Sequence, residues 1–311
     1  MKADLTPAES GNAGNEHANG FTYVLITPAR NEKEFIEETI KSVVSQTVRP
    51  VKWVIVSDGS TDGTDDIVEK YAAEYQWIEL VRMPERAERH FAGKVLAFNE
   101  GYAKVKDLKF DVIGNLDADI SFEKDYISFL LSKFDENPRL GVGGTPFREG
   151  SHQYDYHFTS VEHVSGACQL FRRECFEAVG GYVPLKEGGV DWVAVLSARM
   201  KGWQTRTFTE KTCQHHRKTQ FVQYTSLSGA FRNGHQDYLV GTHPVWQIFR
   251  SLYHMNKRPF IFNGFMLLVG YFWAMLGRAE IPVSMELVEF VRKEQMGRLR
   301  NLFKKIISLQ G

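Results

Sequence analysis

The chain has 311 residues and 43% of them are hydrophobic, which is enough for one large domain or for one domain with an appended region. Its 38 basic and 38 acidic residues cancel to a formal net charge of zero, so no overall field favours nucleic acid as a partner. The 3 cysteines match neither a disulfide framework nor a zinc or redox spacing. A reducing, cytoplasmic environment suits this composition best.

The first part of the chain alternates between strand and helix signals. Residues 1–20 are polar and lack the apolar core of a signal peptide, so we expect a disordered lead there. The β-prone runs 23–27 (YVLIT) and 52–58 (KWVIVSD) predict strands, and the apolar spacing over 35–44 predicts a helix between them. This alternation predicts an α/β domain with a mostly parallel sheet.

A third apolar run, residues 110–116, is followed by two carboxylates, Asp117 and Asp119. In an open α/β sheet, ligands bind beyond the carboxyl ends of the strands. Magnesium and manganese are usually held there by one or two carboxylates together with phosphate oxygens. The pair therefore predicts a site for a divalent metal and a diphosphate, and a solvated turn is the alternative for a lone Asp-x-Asp.

Five motifs in chain order carry a family resemblance. They are TPARNE at 27–32, SDGSTDGT at 57–64, AGK at 92–94 followed by Asn99 and Gly101, DAD at 117–119, and GGVDW at 188–192. Together they resemble the inverting, GT-A family 2 glycosyltransferases of bacterial surface-polysaccharide and exopolysaccharide synthesis. The resemblance implies a Rossmann-like GT-A catalytic domain over residues 21–220, in which helices flank a mostly parallel sheet.

The same resemblance assigns roles to single residues. It implies that Pro28, Glu32 and Asp58 line the nucleotide pocket, that Lys94 reaches the base or diphosphate, that Asp117 touches the ribose, and that Asp119 binds Mn²⁺ or Mg²⁺. Turn chemistry is the alternative for Asp58 and is favoured for Asp62, which precedes a predicted helix. A solvated lysine at the start of a helix is the alternative for Lys94.

Asp191 matches the family's catalytic base. An inverting transfer needs a carboxylate to take the proton from the acceptor hydroxyl as it attacks. In the family this aspartate is usually the second residue of a Glu-Asp pair, whereas Val190 precedes it here. Helix capping after Gly188 and Gly189 is the alternative role for Asp191.

A histidine after the base often completes the metal site in GT-A enzymes. His215 and His216 occupy a suitable place, and adjacent residues of an extended chain point to opposite faces, so at most one should contribute. We assign His215 as the ligand. A surface or interface role for both, within the basic stretch 215–218, is the alternative.

The acceptor side can be placed only coarsely. Residues 165–168 and the following segment resemble the strand and helix that line it in the family. The preceding stretch, 148–163, is rich in His, Tyr and Phe, which suit sugar faces and hydroxyls. Packing is the favoured interpretation of that stretch.

Residues 221–311 are predicted to form a C-terminal helical region, either associated with a membrane or packed on the protein. No charged residue lies within 259–277, but Asn263 and several glycines interrupt the run and basic residues flank it on both sides. A buried helical hairpin or an interfacial insertion therefore fits better than a single membrane pass.

Beyond Pro282, apolar residues recur at helical intervals among basic residues: Val288, Val291, Leu299, Leu302, Phe303, Ile306 and Ile307. Such a helix suits the headgroup region of anionic membranes, and we favour that peripheral location at the cytoplasmic face. Packing on the protein, or on a second subunit of a homo-oligomer, is the alternative.

The leading functional hypothesis is a metal-dependent inverting glycosyltransferase that moves one sugar from a nucleotide-sugar, expected to be a UDP-sugar, to a glycan or lipid-linked acceptor. The chain lacks the several membrane spans and the Gln-x-x-Arg-Trp motif of the family's processive synthases. A sugar nucleotidylyltransferase is disfavoured because no glycine-rich basic loop follows the first strand. A membrane-docked scaffold with a degenerate nucleotide pocket is the non-enzymatic alternative, and Val190 is its only support.

Overall fold

The computed structural model describes residues 20–85, 91–150, 152–153, 160–217, 226–256 and 260–308. The strands of these residues are β1 (Tyr23–Ala29), β2 (Lys52–Asp58), β3 (Ile78–Met83), β4 (Val112–Leu116), β5 (Ile120–Ser121), β6 (Leu140–Gly144), β7 (Phe147–Glu149), β8 (His152–Gln153), β9 (Cys168–Arg172), β10 (Gln204–Thr207) and β11 (Cys213–His215). The predicted disordered lead lies outside the described residues, apart from Gly20.

The helices of the same residues are α1 (Ile36–Val44), α2 (Thr64–Glu74), α3 (Phe91–Val105), α4 (Tyr126–Glu136), α5 (Arg173–Val179), α6 (Val190–Met200), α7 (Leu227–Leu239), α8 (Pro244–His254), α9 (Phe262–Leu276) and α10 (Met285–Ser308). Strands and helices alternate from β1 to β4, within the first 120 residues, as the hydrophobic pattern predicts.

The central sheet has seven strands in the order β10-β6-β9-β4-β1-β2-β3. Strands β4, β1, β2 and β3 are mutually parallel, whereas β9 runs antiparallel to both of its neighbours. Successive residues of β1 serve opposite faces: Leu25 belongs to one buried cluster and Ile26 to the other. Burial on both faces explains the continuous apolar runs of these strands. The predicted mostly parallel sheet with flanking helices is confirmed.

This topology brings the carboxyl ends of β1, β2 and β4 to one edge of the sheet. Because β9 is antiparallel, its first residue lies at the same edge, where Cys168 pairs with Leu116. The backbone N–H of Asp117 donates to the carbonyl of Ala167 at 2.8 Å. The segment before β9 therefore lies directly beside the predicted metal site.

A second sheet, in the order β5-β11-β7-β8, completes this edge. Strand β11 is antiparallel to β5, with His215 opposite Ile120. The backbone N–H of His216 donates to the carbonyl of Asp119 at 2.8 Å. A residue almost 100 positions further along the chain is thus fixed next to the Asp-x-Asp pair.

The terminal helix α10 packs on the catalytic domain. Its Leu287 and Val291 share a buried cluster with Leu185, Val193 and Leu196, the last two from α6. An ion cluster of Arg199 with Glu162 and Glu294, joined by Arg298, adds to this contact.

The burial of α10 decides between the two sequence interpretations for part of its apolar stripe. Val288 is 0% exposed, Val291 2% and Leu299 4%, so these side chains pack on the protein and are not available to a membrane. Of the remaining residues of the stripe, Leu302 is 39% exposed, and the side chains of Phe303, Ile306 and Ile307 lie outside the described set.

Helix α9 lies within the long apolar segment 259–277. It packs closely on α7, because a Cβ atom added at Gly234 would lie 2.0 Å from the carbonyl oxygen of Leu267. Its other side remains exposed and includes Phe265, Trp273 and Leu276. Among the helices of the described residues, none has both the length and the hydropathy needed to cross a membrane.

Candidate active site

Asp117, Asp119 and His215 form a cluster at the edge where β4 and β11 end. One ligand atom from each residue lies within 4.8 Å of the others. Asp119 and His215 are buried and Asp117 is half-buried. The three residues predicted as two donor-site carboxylates and a metal-binding histidine are therefore neighbours in space.

The orientation of His215 suits metal binding. Its Nδ1 lies 2.7 Å from the carbonyl oxygen of Arg217 and 3.0 Å from Oε1 of Glu149. Its Nε2 points at Asp119, 3.5 Å from Oδ1. A metal-binding histidine usually donates its second ring N–H to a carbonyl or carboxylate, which leaves the other nitrogen free to coordinate. Two carboxylates with one imidazole form a donor set that fits Mn²⁺, and its oxygen ligands also suit Mg²⁺.

The two adjacent histidines point in different directions. His215 is only 3% exposed, so the alternative that it is a surface residue is wrong. His216 turns away from the cluster, where its Nε2 lies 2.8 Å from Oγ of Ser121 and its ring stacks on Phe35. Glu149, which helps to orient His215, carried no signal in the sequence.

Lys94 reaches the cluster from α3 and forms an ion pair with Asp117 Oδ1. Burial raises the pKa of Asp117, and the charge of Asp119 adds to this increase, while Lys94 opposes it. Burial acts to lower the pKa of Lys94, but Asp117, Asp191 and Asp119 outweigh it and raise that pKa. The lysine is therefore paired with Asp117 and is not an isolated solvated side chain.

Glu32 lies in the loop after β1 and forms an ion pair with Arg217. Burial, reinforced by the charge of Asp119, raises the pKa of Glu32 to about 7, although Arg217 acts in the opposite direction. Arg217 also donates from Nε to Oδ2 of Asp119 at 3.2 Å. The sequence placed Arg217 only within a basic stretch, and its contact with both carboxylates is a structural finding.

The carboxylates of Asp58 and Asp62 have different kinds of partners. Asp58 ends β2, is 6% exposed, and lies 3.9 Å from the guanidinium of Arg30. Asp62 instead accepts backbone hydrogen bonds from Thr64 and Lys33, each at 3.0 Å. Its carboxylate is therefore used in the turn before α2.

The loops after β1 and β2 are joined by hydrogen bonds. The N–H of Glu32 donates to Oγ1 of Thr64 at 2.8 Å, and the N–H of Thr61 donates to Oδ1 of Asn31 at 2.9 Å. Pro28 lies near the end of β1, in register with Val56 of β2. The residues predicted to line the nucleotide pocket thus share one edge with the metal cluster.

Asp191 lies in the first turn of α6 and is not its N-cap. Gly189 holds that position with a positive φ of 80°. The Asp191 carboxylate instead accepts from the backbone N–H of Gly166 at 3.0 Å, through Oδ2. Gly166 is in turn held to β4, because its carbonyl accepts from the side-chain amide of Asn115 at 2.7 Å. The segment before β9 therefore ties Asp191 to the strand that carries the Asp-x-Asp pair.

Gly166 allows this contact because it has no side chain. A Cβ atom there would lie 2.9 Å from Cβ of Asp191 and 3.1 Å from its Oδ2. Real Cβ atoms almost never approach other atoms that closely, so any larger residue has to move Asp191. The sequence marked residues 165–168 as acceptor-side and did not reveal this role.

His163 belongs to the aromatic stretch that precedes the same segment. Burial lowers the pKa of its imidazole, and the nearby charge of Asp191 acts against this decrease. Residues 151 and 154–159 of the stretch 148–163 lie outside the described residues.

An open sheet with an Asp-x-Asp and histidine cluster at one strand end, and a carboxylate on a facing helix, defines the class of GT-A glycosyltransferases. Residues 24–178 match the family model described as "Glycosyl transferase family 2". The chain belongs to this family.

Relatives and solved structures agree with this assignment. The chain is 29% identical over 132 residues to the poly-beta-1,6-N-acetyl-D-glucosamine synthase of Staphylococcus aureus strain COL, a match that covers 42% of this chain and 29% of that protein. The match therefore spans less than a third of the length of this curated relative.

Two solved structures share the fold. A mannosyltransferase from Pyrobaculum calidifontis, in complex with GDP-Man and Mn²⁺, superposes with a TM-score of 0.56 at 18% identity and covers 94% of this chain and 84% of its own. Residues 1–349 of S. aureus TarS, in complex with UDP-GlcNAc, give a TM-score of 0.52 at 14% identity and cover 81% of this chain and 71% of their own. At these identities the likeness establishes the GT-A fold.

Proposed function

We propose that the chain is a metal-dependent inverting glycosyltransferase that moves one sugar from a nucleotide-sugar to an acceptor hydroxyl. The observation that carries the proposal is the meeting of Asp117, Asp119 and His215 at one strand end, with Asp191 held beside them through Gly166. These residues provide both parts of the reaction, a site for a diphosphate and a base for a hydroxyl.

Asp119 and His215 would hold the metal, with Asp117 beside them. A bound Mn²⁺ or Mg²⁺ would act as a Lewis acid that neutralises charge on the departing nucleoside diphosphate. Lys94 adds a positive charge at the same edge, through its ion pair with Asp117. Pro28, Glu32 and Asp58 would line the nucleotide pocket, as the family resemblance implies.

Asp191 would take the proton from the acceptor hydroxyl. Its Oδ2 is occupied by the N–H of Gly166, and among the described residues Oδ1 receives no hydrogen bond. That oxygen can accept the hydroxyl proton while Gly166 keeps the carboxylate oriented. Inversion follows because the activated hydroxyl attacks the face opposite the leaving diphosphate.

The donor is expected to be a UDP-sugar, and the acceptor a glycan or a lipid-linked sugar. Structures with the same fold contain GDP-Man or UDP-GlcNAc, which supports a nucleotide-sugar donor and leaves the base to be decided by experiment. A non-catalytic scaffold, the alternative suggested by Val190, is disfavoured by the retained Asp191 and its fixed orientation. A nucleotidylyltransferase is disfavoured because the relative and both neighbours described above are synthases or transferases of sugars, or bind a nucleotide-sugar.

Thermal unfolding with a ligand panel tests this proposal. UDP, GDP, dTDP, CMP and UDP-sugars are added with and without Mn²⁺ to the wild type and to Asp119→Ala. A ligand that binds only the folded state raises the melting temperature by mass action. We expect a Mn²⁺-dependent shift with one nucleotide that is lost in Asp119→Ala; Asp62→Ala, which alters a turn, should retain it. The absence of any shift in the wild type would favour the scaffold alternative.

We further propose that the exposed side of α9 docks on a membrane surface, where a lipid-linked acceptor would be found. Phe262, Phe265, Trp273 and Leu276 are each more than half exposed. Trp and Phe beside aliphatic residues suit the headgroup boundary of a bilayer. Membrane contact through α9 matches the interfacial insertion that the sequence left open for residues 259–277, beside the contact expected of the terminal helix.

A further inference from the structure

Arg217 occupies an unusual position in the candidate active site. Its Nε lies 3.2 Å from Oδ2 of Asp119, and its NH2 group forms an ion pair with Glu32. The ring of Phe35 lies 5.4 Å from its guanidinium carbon. The side chain thus links a predicted metal ligand to a residue of the predicted nucleotide pocket.

The two oxygens of Asp119 have different neighbours. Oδ1 lies 3.5 Å from Nε2 of His215, on the side where the cluster would hold a metal, whereas Oδ2 faces Arg217. A metal ion bound by His215 would therefore share the carboxylate of Asp119 with the guanidinium of Arg217. Two positive charges that share one carboxylate still repel each other, and a further anion beside them would reduce that repulsion.

We propose that Arg217 binds the diphosphate of the donor and gives up its ion pair with Glu32 to do so. A guanidinium binds phosphate oxygens through two parallel hydrogen bonds, a geometry that a point charge such as Lys does not provide. The exchange also releases Glu32 toward the nucleotide pocket. This inference rests on the proposed function, which supplies the diphosphate.

The position of Arg217 should couple the binding of the metal to the binding of the diphosphate. Without a donor, the charge of Arg217 beside Asp119 weakens the binding of a divalent cation. With a donor, the diphosphate takes up the charge of both Arg217 and the cation. Metal and diphosphate should therefore each raise the affinity for the other.

Isothermal titration of Arg217→Met tests this inference against the wild type. The titrants are Mn²⁺ alone, and UDP, GDP, UMP and GMP in the presence of Mn²⁺. We expect the diphosphate that the wild type binds to bind about 10- to 100-fold more weakly to the variant, from the loss of charge-assisted hydrogen bonds. The matching monophosphate should change by less than about threefold, and Mn²⁺ alone should bind about two- to tenfold more tightly as a like charge is removed.

Two further variants complete the experiment. Arg206→Met removes an exposed arginine of β10 and should leave every affinity unchanged. Arg217→Lys keeps the charge and loses the planar fork, so it should lose diphosphate affinity while Mn²⁺ affinity stays at the wild-type value. It also provides the test if Arg217→Met does not fold.

The direction in which the Mn²⁺ affinity of Arg217→Met changes distinguishes a diphosphate-binding role of Arg217 from a purely structural one. Weaker binding of Mn²⁺ and of both nucleotides together would show that Arg217 only braces the loops, and would overturn the proposal. Unchanged diphosphate affinity would overturn it as well. A wild type that binds none of these four nucleotides, and neither dTDP nor CMP in the thermal panel, would refute the proposed function and the Arg217 proposal with it. That result is distinct from wild-type binding without a change in the variant.

Discussion

The strand-end site and the outer side of α9 differ in what they bury. At the site, three polar side chains are nearly inaccessible: His215 is 3% exposed, Asp58 6% and Asp119 7%. On α9 the reverse holds, with Trp273 at 68% and Leu276 at 78%. Burial strengthens electrostatic interactions between charged groups. Exposed apolar side chains contribute favourable free energy only when another surface covers them. The first region is therefore suited to chemistry and the second to docking.

Asp191→Asn tests the chemical side of this comparison most directly. The amide retains the shape of the side chain but cannot take a proton, so turnover should fall by about 10²- to 10⁴-fold, the usual contribution of a general base. Mn²⁺-dependent nucleotide binding, measured by thermal shift, should persist. Asp62→Asn, which changes a carboxylate used in a turn, is the matched control and should keep its turnover once folded. Normal turnover in Asp191→Asn would remove this residue from the mechanism.

Gly166→Ala tests whether the base must be positioned as well as present. The new Cβ would lie 2.9 Å from Cβ of Asp191, so that side chain has to move. We expect turnover to fall by about 10- to 100-fold, because a small misplacement of a reacting group is costly. Nucleotide binding should change little.

Gly297→Ala is the control for this substitution. Gly297 lies in α10 with no atom within 4 Å of an added Cβ, and Ala should stabilise the helix by roughly 0.5–1 kcal/mol without affecting turnover. Equal activities of the two alanine variants would show that Gly166 does not position Asp191.

The sequence predicted more of the strand-end site than of the C-terminal helices. Asp117 follows one apolar strand and Asp58 ends another, and parallel topology alone brings the carboxyl ends of such strands together. The strand Lys52–Asp58 appears with the same bounds in the structure. Local pattern and global arrangement agree in this part of the chain.

Contacts that depend on β9, β11 and the loops were not predictable in this way. Glu149 meets His215 because β11 pairs with β7, and Arg217 reaches Asp119 because β11 pairs with β5. Gly166 meets Asp191 only because β9 is antiparallel to β4. In α10, the periodicity identified an apolar stripe, but periodicity does not say which surface covers it, and Val288 and Val291 are buried on the protein.

The pH dependence of stability sharpens the comparison for Glu32. Its folded-state pKa is raised from 4.5 to about 7, so its stabilising contribution is complete below about pH 4.5 and is lost as the pH rises through 7. Between pH 5 and 8, the metal-free wild type should lose roughly 2 kcal/mol of unfolding free energy that Glu32→Gln does not lose.

Denaturant unfolding in EDTA at several pH values measures this difference. Glu37→Gln is the control, at a carboxylate whose pKa is lowered by a hydrogen bond from Tyr71. Its curve should run parallel to that of the wild type between pH 5 and 8, because the contribution of Glu37 is lost only at lower pH. Parallel curves for the wild type and Glu32→Gln would show that Glu32 is ionised in the folded protein throughout this range.

The outer side of α9 provides the last test. The double variant Trp273→Ser with Leu276→Ser removes two exposed apolar side chains, so its unfolding free energy should stay within about 0.5 kcal/mol of the wild type. Its affinity for vesicles of phosphatidylglycerol and phosphatidylcholine should fall about tenfold in a flotation assay, from the lost apolar contact. Leu227→Ser, at an exposed leucine of α7, is the control and should bind vesicles like the wild type. If the double variant instead lowers the sedimentation coefficient and leaves vesicle binding unchanged, the side of α9 binds a second copy of the chain, and the membrane part of the proposal is wrong.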